Sequence, residues 1–142
     1  MVPNVKLLME EITETQYPSK THKINVIEDT SDDEKLNYDK ISGYIDDLEA
    51  VKQAVYKILN TERYKYVIYS WDYGVELVDL IGKPIPYVMA EVSRRVTEAL
   101  TMDDRIDDVV DFEFETKGKT LHTTFTVVTT YGNIETDLEV AI

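Results

Sequence analysis

Asp46-Asp47-Leu48-Glu49-Ala50-Val51-Lys52-Gln53-Ala54-Val55-Tyr56-Lys57-Ile58-Leu59 opens the segment Gly43–Arg105, around which the rest of the chain is organised. Leu48, Val51, Val55 and Ile58 recur at three- and four-residue steps, which places them on one face of an α-helix. Asp46 suits the N-cap, Glu49 stands in capping-box spacing, and Ile45 is placed to staple against Ala50. A second helix is predicted from about Pro86 to Leu100, with Val88, Val92, Val96 and Ala99 inward. Its outer face carries Glu91, Arg94, Arg95 and Glu98 at spacings that allow ion pairing along the helix. Between the helices runs Tyr64-Lys65-Tyr66-Val67-Ile68-Tyr69-Ser70-Trp71-Asp72-Tyr73-Gly74. Its ring area is too large for a solvent loop, and the expectation is a strand with both faces covered. Tyr64, Tyr66 and Ile68 would share one face, and Val67, Tyr69 and Trp71 the other. Val75–Ile81 then reads as about two helical turns, stopped by Gly82 in the left-handed conformation.

Past Arg105 the apolar period changes from 3.6 to 2. Val110, Phe112 and Phe114 alternate with Asp111, Glu113 and Glu115, the pattern of a half-buried strand. Lys117-Gly118-Lys119 and Tyr131-Gly132-Asn133 read as hairpin turns around a threonine-rich strand, Thr120–Thr130. Ile134, Leu138, Val140 and Ile142 alternate with Glu135, Asp137 and Glu139. The fold class is therefore α+β, with two main helices on a C-terminal antiparallel β-meander. If the last strand lies at an edge, it offers unpaired backbone groups to another chain, and its three acidic residues discourage self-pairing.

The region before Gly43 carries weaker signals. Val5–Ile12 is a short strand or an arm between Pro3 and Pro18. His22–Val26 reads as a strand with Ile24 and Val26 toward a core, Glu28–Glu34 as an exposed acidic loop, and Gly43 as a break before the first helix. Residues 1–43 are read as an N-terminal arm with short strands, and 44–142 as the α+β domain.

A chain of 142 residues is long enough to bury a hydrophobic core without staples. It has no cysteine, which excludes disulfides and thiolate chemistry. Neither a signal peptide at Met1–Glu10 nor a run of about 18 apolar residues is visible, so no membrane partner is expected. With 28 acidic against 15 basic residues the formal charge is −13, a field that repels nucleic acid and anionic lipid.

Chemistry is sparse. His22 and His122 are isolated, and no phosphate loop, nucleophile elbow or calcium loop is present. Asp103-Asp104 and Asp107-Asp108 lack the glycine that shapes a cation cage, so no metal and no cofactor is expected. The enzymatic alternative is a peptidoglycan-hydrolysing glycosidase, with Glu62 or Asp72 as acid and Glu91 or Asp103 as its partner. Among 28 acidic residues such pairs arise by number alone. The ordinary reading of Glu62 is a pair with Arg63 or Arg105, and that of Asp72 a turn or cap. A third possibility is an acidic protein-binding module. Trp71 and its flanking tyrosines are the stronger signal, as a core or as an interface anchor.

The order of these segments resembles the baseplate wedge, or sheath-initiator, family of contractile phage tails, also known as the lysozyme-like baseplate wedge family. The branch in question is that of Gram-positive prophages and phage-derived bacteriocins. A leucine-threonine segment leads to Glu62-Arg63, where the family has Gly-Glu-Arg. Trp71-Asp72-Tyr73-Gly74 matches its Pro-Asp-Phe-Gly, and Asp103-Asp104-Arg105-Ile106 stands where it has Glu-Pro-Arg-Ile. The match spans roughly residues 43–142, with the glycine before Glu62 and the proline before Arg105 absent. The resemblance implies a structural protein without catalysis, which links wedge proteins to the sheath and starts sheath assembly by strand exchange. It implies as partners other baseplate wedge proteins, the tail sheath protein, and the tail tube or hub. It places the protein in the baseplate of a phage tail or tail-like particle, assembled in the bacterial cytoplasm. The suspected interface residues are Glu62, Arg63, Trp71, Asp72, Tyr73, Asp103, Arg105, Ile106, Glu135, Asp137 and Glu139. Arg105 and its acidic neighbour look like the pair that holds the helical part against the wedge.

Overall fold

The computed structural model describes residues 18–24 and 41–142. The expectations for Val5–Ile12, Val26 and Glu28–Glu34 fall outside them. β1 (Thr21–Ile24) and β2 (Ile41–Ile45) form a small antiparallel sheet. α1 (Asp47–Leu59) and α2 (Ile85–Leu100) follow, and β3 (Ile106–Lys117), β4 (Thr120–Thr129) and β5 (Gly132–Ala141) form an antiparallel sheet in the order β3-β4-β5. Both helices cover one face of that sheet, as the periodicities require.

Val51, Val55 and Ile58 of α1 meet Val88, Val92, Val96 and Leu100 of α2 in one core with Leu121, Phe125 and Val127 of β4. Every second residue of β4 from Leu121 to Thr129 is buried, because a strand sends alternate side chains to opposite faces. Phe125 stacks on Phe112 at 5.1 Å. The N-cap departs from the expected capping box. The Asp46 carboxylate accepts from the adjacent Asp47 amide at 2.8 Å, and Glu49 pairs with Lys52.

Several expectations are corrected. Tyr64–Tyr73 is no strand, but a series of turns closed by bonds from Lys65 to Glu62, Tyr69 to Tyr66 and Tyr73 to Ser70. Trp71 is 81% exposed and Ile68 85%. A strand with two apolar faces needs a pairing neighbour and two covering layers, and among the described residues the helices cover the sheet on one side only. Val75–Ile81 holds a single 3-10 turn, Val78–Leu80, instead of two helical turns. The backbone of Val75 is bonded to Thr61 and Arg63, and the amides of Leu77 and Val78 go to the Glu62 carboxylate. Gly82 does close this segment with φ +80°. Val110 faces away from Phe114, opposite Thr126 on the outer side of β4. A bulge between Val110 and Glu113, with Asp111 at φ +56°, adds one residue and shifts the alternation. Gly43 lies inside β2, and Ile24 is exposed.

Candidate functional site

Three places gather the suspected interface residues. The first is the base of the aromatic loop. Thr61, Glu62 and Arg63 run beside Gly74 and Val75, bridged by Val75 N to Thr61 O at 2.9 Å and Arg63 N to Val75 O at 3.2 Å. Glu62 pairs with no arginine. Its carboxylate accepts the Leu77 amide at 3.1 Å and the Val78 amide at 3.2 Å. Arg63 donates from Nε to Gly74 O at 3.1 Å and from a terminal nitrogen to Glu98 of α2 at 3.2 Å. Both residues close the loop on its stem. Tyr64 enters the loop with φ +68°, a conformation that costs a bulky residue about 1–3 kcal/mol.

Beyond that stem the rings stand in solvent. Trp71 meets Tyr64 edge-to-face at 6.3 Å, while Tyr73 is half-buried and stacks on Tyr69 at 4.5 Å. Burial raises the Tyr73 phenol, and the neighbouring Tyr69 and Asp103 add to the shift. Asp72 is exposed and lines a shallow hollow with Tyr73, Met102 and Asp103.

The second place is the corner between α2 and β3. Arg105 grips Asp103 with two parallel bonds, Nε to Oδ1 at 2.8 Å and a terminal nitrogen to Oδ2 at 2.6 Å, and its amide adds a third at 3.1 Å. Burial pushes the Asp103 carboxyl up, but these bonds and the Arg105 charge outweigh it and hold the group below its ordinary value. The guanidinium is thereby fixed in place, as a planar fork allows. Ile106 points into the core and is 4% exposed.

The third place is β5. Glu135, Asp137 and Glu139 are exposed on the outer face, and Ile134 and Val140 are buried on the inner one. His122 lies on that outer face with Nδ1 3.6 Å from Glu139. The β4–β5 register has no shift, and the Ile142 amide donates to Lys119 O at 2.9 Å. In an antiparallel ladder the bonding side alternates with each residue. The even residues of β5 therefore bond to β4, and the amides of Glu135, Asp137 and Glu139 point outward from the edge.

Sequence reasoning missed some polar braces. Gln53 of α1 accepts from the Ile24 amide at 2.9 Å and donates to His22 O at 2.8 Å, clamping β1. No local signal marks that residue. Arg95, whose spacing places it on the outer face of α2, pairs with Glu91 and also reaches Asp79 and the Glu76 carbonyl. Among the described residues no group of three or more His, Asp or Glu side chains is placed to hold a metal, and no helix is long and apolar enough to cross a membrane.

Comparison with known proteins supplies the context for these surfaces. The profile of the contractile injection system sheath initiator matches residues 26–132. The phage-like element PBSX protein XkdS of Bacillus subtilis (strain 168) is 39% identical over 128 residues, which covers 88% of this chain and 82% of XkdS. A two-helix layer on a three-stranded meander, with one regular edge strand, is thus the architecture of a chain that belongs to the contractile injection system sheath initiator family.

Proposed function

We propose that this protein links the wedge proteins of a contractile baseplate to the sheath, and that β5 is the edge on which the first sheath strand pairs. The observation that carries the reading is an asymmetry between the two edges of the sheet. β5 is ten residues long and regular in register, whereas β3 has two register shifts and a left-handed Asp111. Bulges blunt an edge against strand addition, so among the described residues one edge of this sheet is unpaired and regular and the other is protected. An incoming strand would bond to the outward amides of Glu135, Asp137 and Glu139, and basic residues on it would be attracted by those carboxylates.

The Asp103–Arg105 corner and the stem at Glu62 and Arg63 belong to the same proposal as supports for the surface that meets other wedge proteins. Trp71, Asp72 and Tyr73 form the exposed part of that surface. Ile106 contributes from within, by anchoring the start of β3. Partners are other wedge proteins, the sheath protein, and the tube or hub, with neither nucleic acid nor membrane, in a baseplate assembled in the bacterial cytoplasm. The division into an arm (1–43) and a domain (44–142) is part of this reading, although β2 runs across it.

Glycoside hydrolysis receives no support from the geometry. An acid catalyst needs a raised pKa. Of the two candidate acids, Glu62 accepts the backbone amides of Leu77 and Val78, and Asp72 is exposed to solvent, so neither lies in apolar surroundings.

Replacing Asp137 with proline tests the strand. It removes an outward amide and no bond to β4, so the monomer should keep its circular dichroism spectrum while baseplates carrying it fail to nucleate sheath. Normal sheath growth from baseplates carrying folded variant would place the exchange surface elsewhere. If Asp137→Pro does not fold, Glu139→Pro repeats the test at the next outward amide. The wild-type protein incubated with peptidoglycan should release no product above buffer.

A further inference from the structure

The loop above the Glu62–Val75 stem is shaped in a way that strand exchange does not use. Tyr64, Tyr66, Tyr69 and Trp71, with Val67 and Ser70, surround a hollow of about 320 Å³. Tyr64 and Trp71 cross at 75° and Tyr66 and Tyr69 at 89°, each pair with centroids 6.3 Å apart, so the rings of each pair meet edge to face instead of stacking. All four are exposed.

We propose that this hollow is a docking cup for a cationic side chain, arginine or lysine, of a partner protein. Three observations select a cation over an apolar group. Four aromatic residues line the hollow, and the π face of such a ring attracts a cation. The loop's own Lys65 already places its ammonium 5.6 Å from the Tyr66 centroid, so a ring face here holds a cation within the chain itself. The whole molecule carries a formal charge of −13 and concentrates cations at its surface. A guanidinium entering between the rings would lay its plane against a ring and leave its N–H groups to water at the rim. The cup would thus be read by a single basic residue, independently of the β5 edge.

Trp71 is the chain's one tryptophan, so its fluorescence reports on the cup directly. The test titrates the full-length protein at 0.15 M salt with a blocked Gly-Arg-Gly peptide and with its Gly-norleucine-Gly counterpart, which has similar length and no charge. The expected result is a saturable change in Trp71 emission with the arginine peptide, at least about fivefold weaker with norleucine. Tyr64→Leu and Tyr66→Leu keep apolar area but lose a ring, and each should weaken the arginine peptide about two- to fivefold, while Tyr64→Phe should not. Equal response to both peptides would make the cup an apolar docking site and overturn the proposal. So would no response to arginine, or unchanged affinity in the leucine variants. Emission that shifts with the protein's own concentration, together with dimerisation in sedimentation, would assign the cup to a second copy of the chain. The two peptides on the wild-type protein decide the matter even if a variant is misfolded.

Discussion

Thr123 occupies the middle of β4, fully buried between Phe114 and Leu138 on the neighbouring strands, and its hydroxyl has no hydrogen-bond partner among the described residues. A buried polar group left unpaired costs about 1–3 kcal/mol, whereas valine has the same shape without the hydroxyl. Thr123→Val should therefore stabilise the fold by about 1 kcal/mol, seen as a rise of about 3 °C in thermal midpoint. An unchanged or lower midpoint would mean that the hydroxyl is satisfied in solution. The arginines divide by the same logic of burial. The Arg94 side chain is 57% exposed, and its pairs with Glu91 and Glu98 contribute little on their own. Arg95 is 14% exposed and joins Glu91, Asp79 and the Glu76 carbonyl, so it is the one that ties α2 to the segment before it.

At the scale of elements, the aromatic loop depends on its stem more than on its own rings. Gly74 lies against Thr61, with φ +92°, and a Cβ placed there would come within 2.4 Å of the Thr61 carbonyl oxygen. The obstacle is backbone of the paired segment, which cannot move without breaking the Val75–Thr61 bond. Gly74→Ala should cost at least about 2 kcal/mol and open the stem. The measurement is chemical denaturation together with Trp71 emission. A variant with wild-type stability and spectrum would show that the stem is not the closure of the loop. The ion pairs extend the stem's reach, since Arg63 meets Glu98, Glu98 meets Arg94, and Arg94 and Arg95 share Glu91. The loop base, α2 and the 3-10 turn are joined through this chain of contacts.

For the whole molecule, two electrostatic effects oppose each other as pH falls. The excess of negative charge at pH 7 repels itself, and its titration toward a sequence pI of 4.5 relieves that repulsion. Glu91 works the other way. Its ordinary value of 4.5 is lowered to about 2 by the Arg94 and Arg95 hydrogen bonds, so its contribution is complete above 4.5 and is lost as pH falls from 4.5 through 2. Asp103 is lowered as well, from 3.8, and loses its contribution below that value. The thermal midpoint should therefore rise modestly from pH 7 toward about 5 and fall progressively below about 4.5. Glu91→Gln, which removes the titrating group, should flatten the acid limb. An unaltered limb in that variant would assign acid unfolding to other carboxylates.

The two helices, the meander, the α+β class and the family are legible in the sequence, because those signals are local. The apolar faces of α1 and α2 repeat every three to four residues, β4 alternates strictly, and Glu62-Arg63, Asp72-Tyr73-Gly74 and Arg105-Ile106 can be read without knowing what they touch. That the aromatic run stands in solvent emerges from the packing, since ring content cannot tell a covered strand from a loop when the covering layer is supplied by other elements. The side on which Val110 falls was also hidden, because one inserted bulge residue reverses every side chain on one side of it. Glu62 shows the limit most plainly. Its sequence neighbour is Arg63, but its carboxylate bonds to the amides of Leu77 and Val78. Those amides come within reach because the chain closes a loop between Glu62 and Val75, a distance in space that no spacing in the sequence encodes.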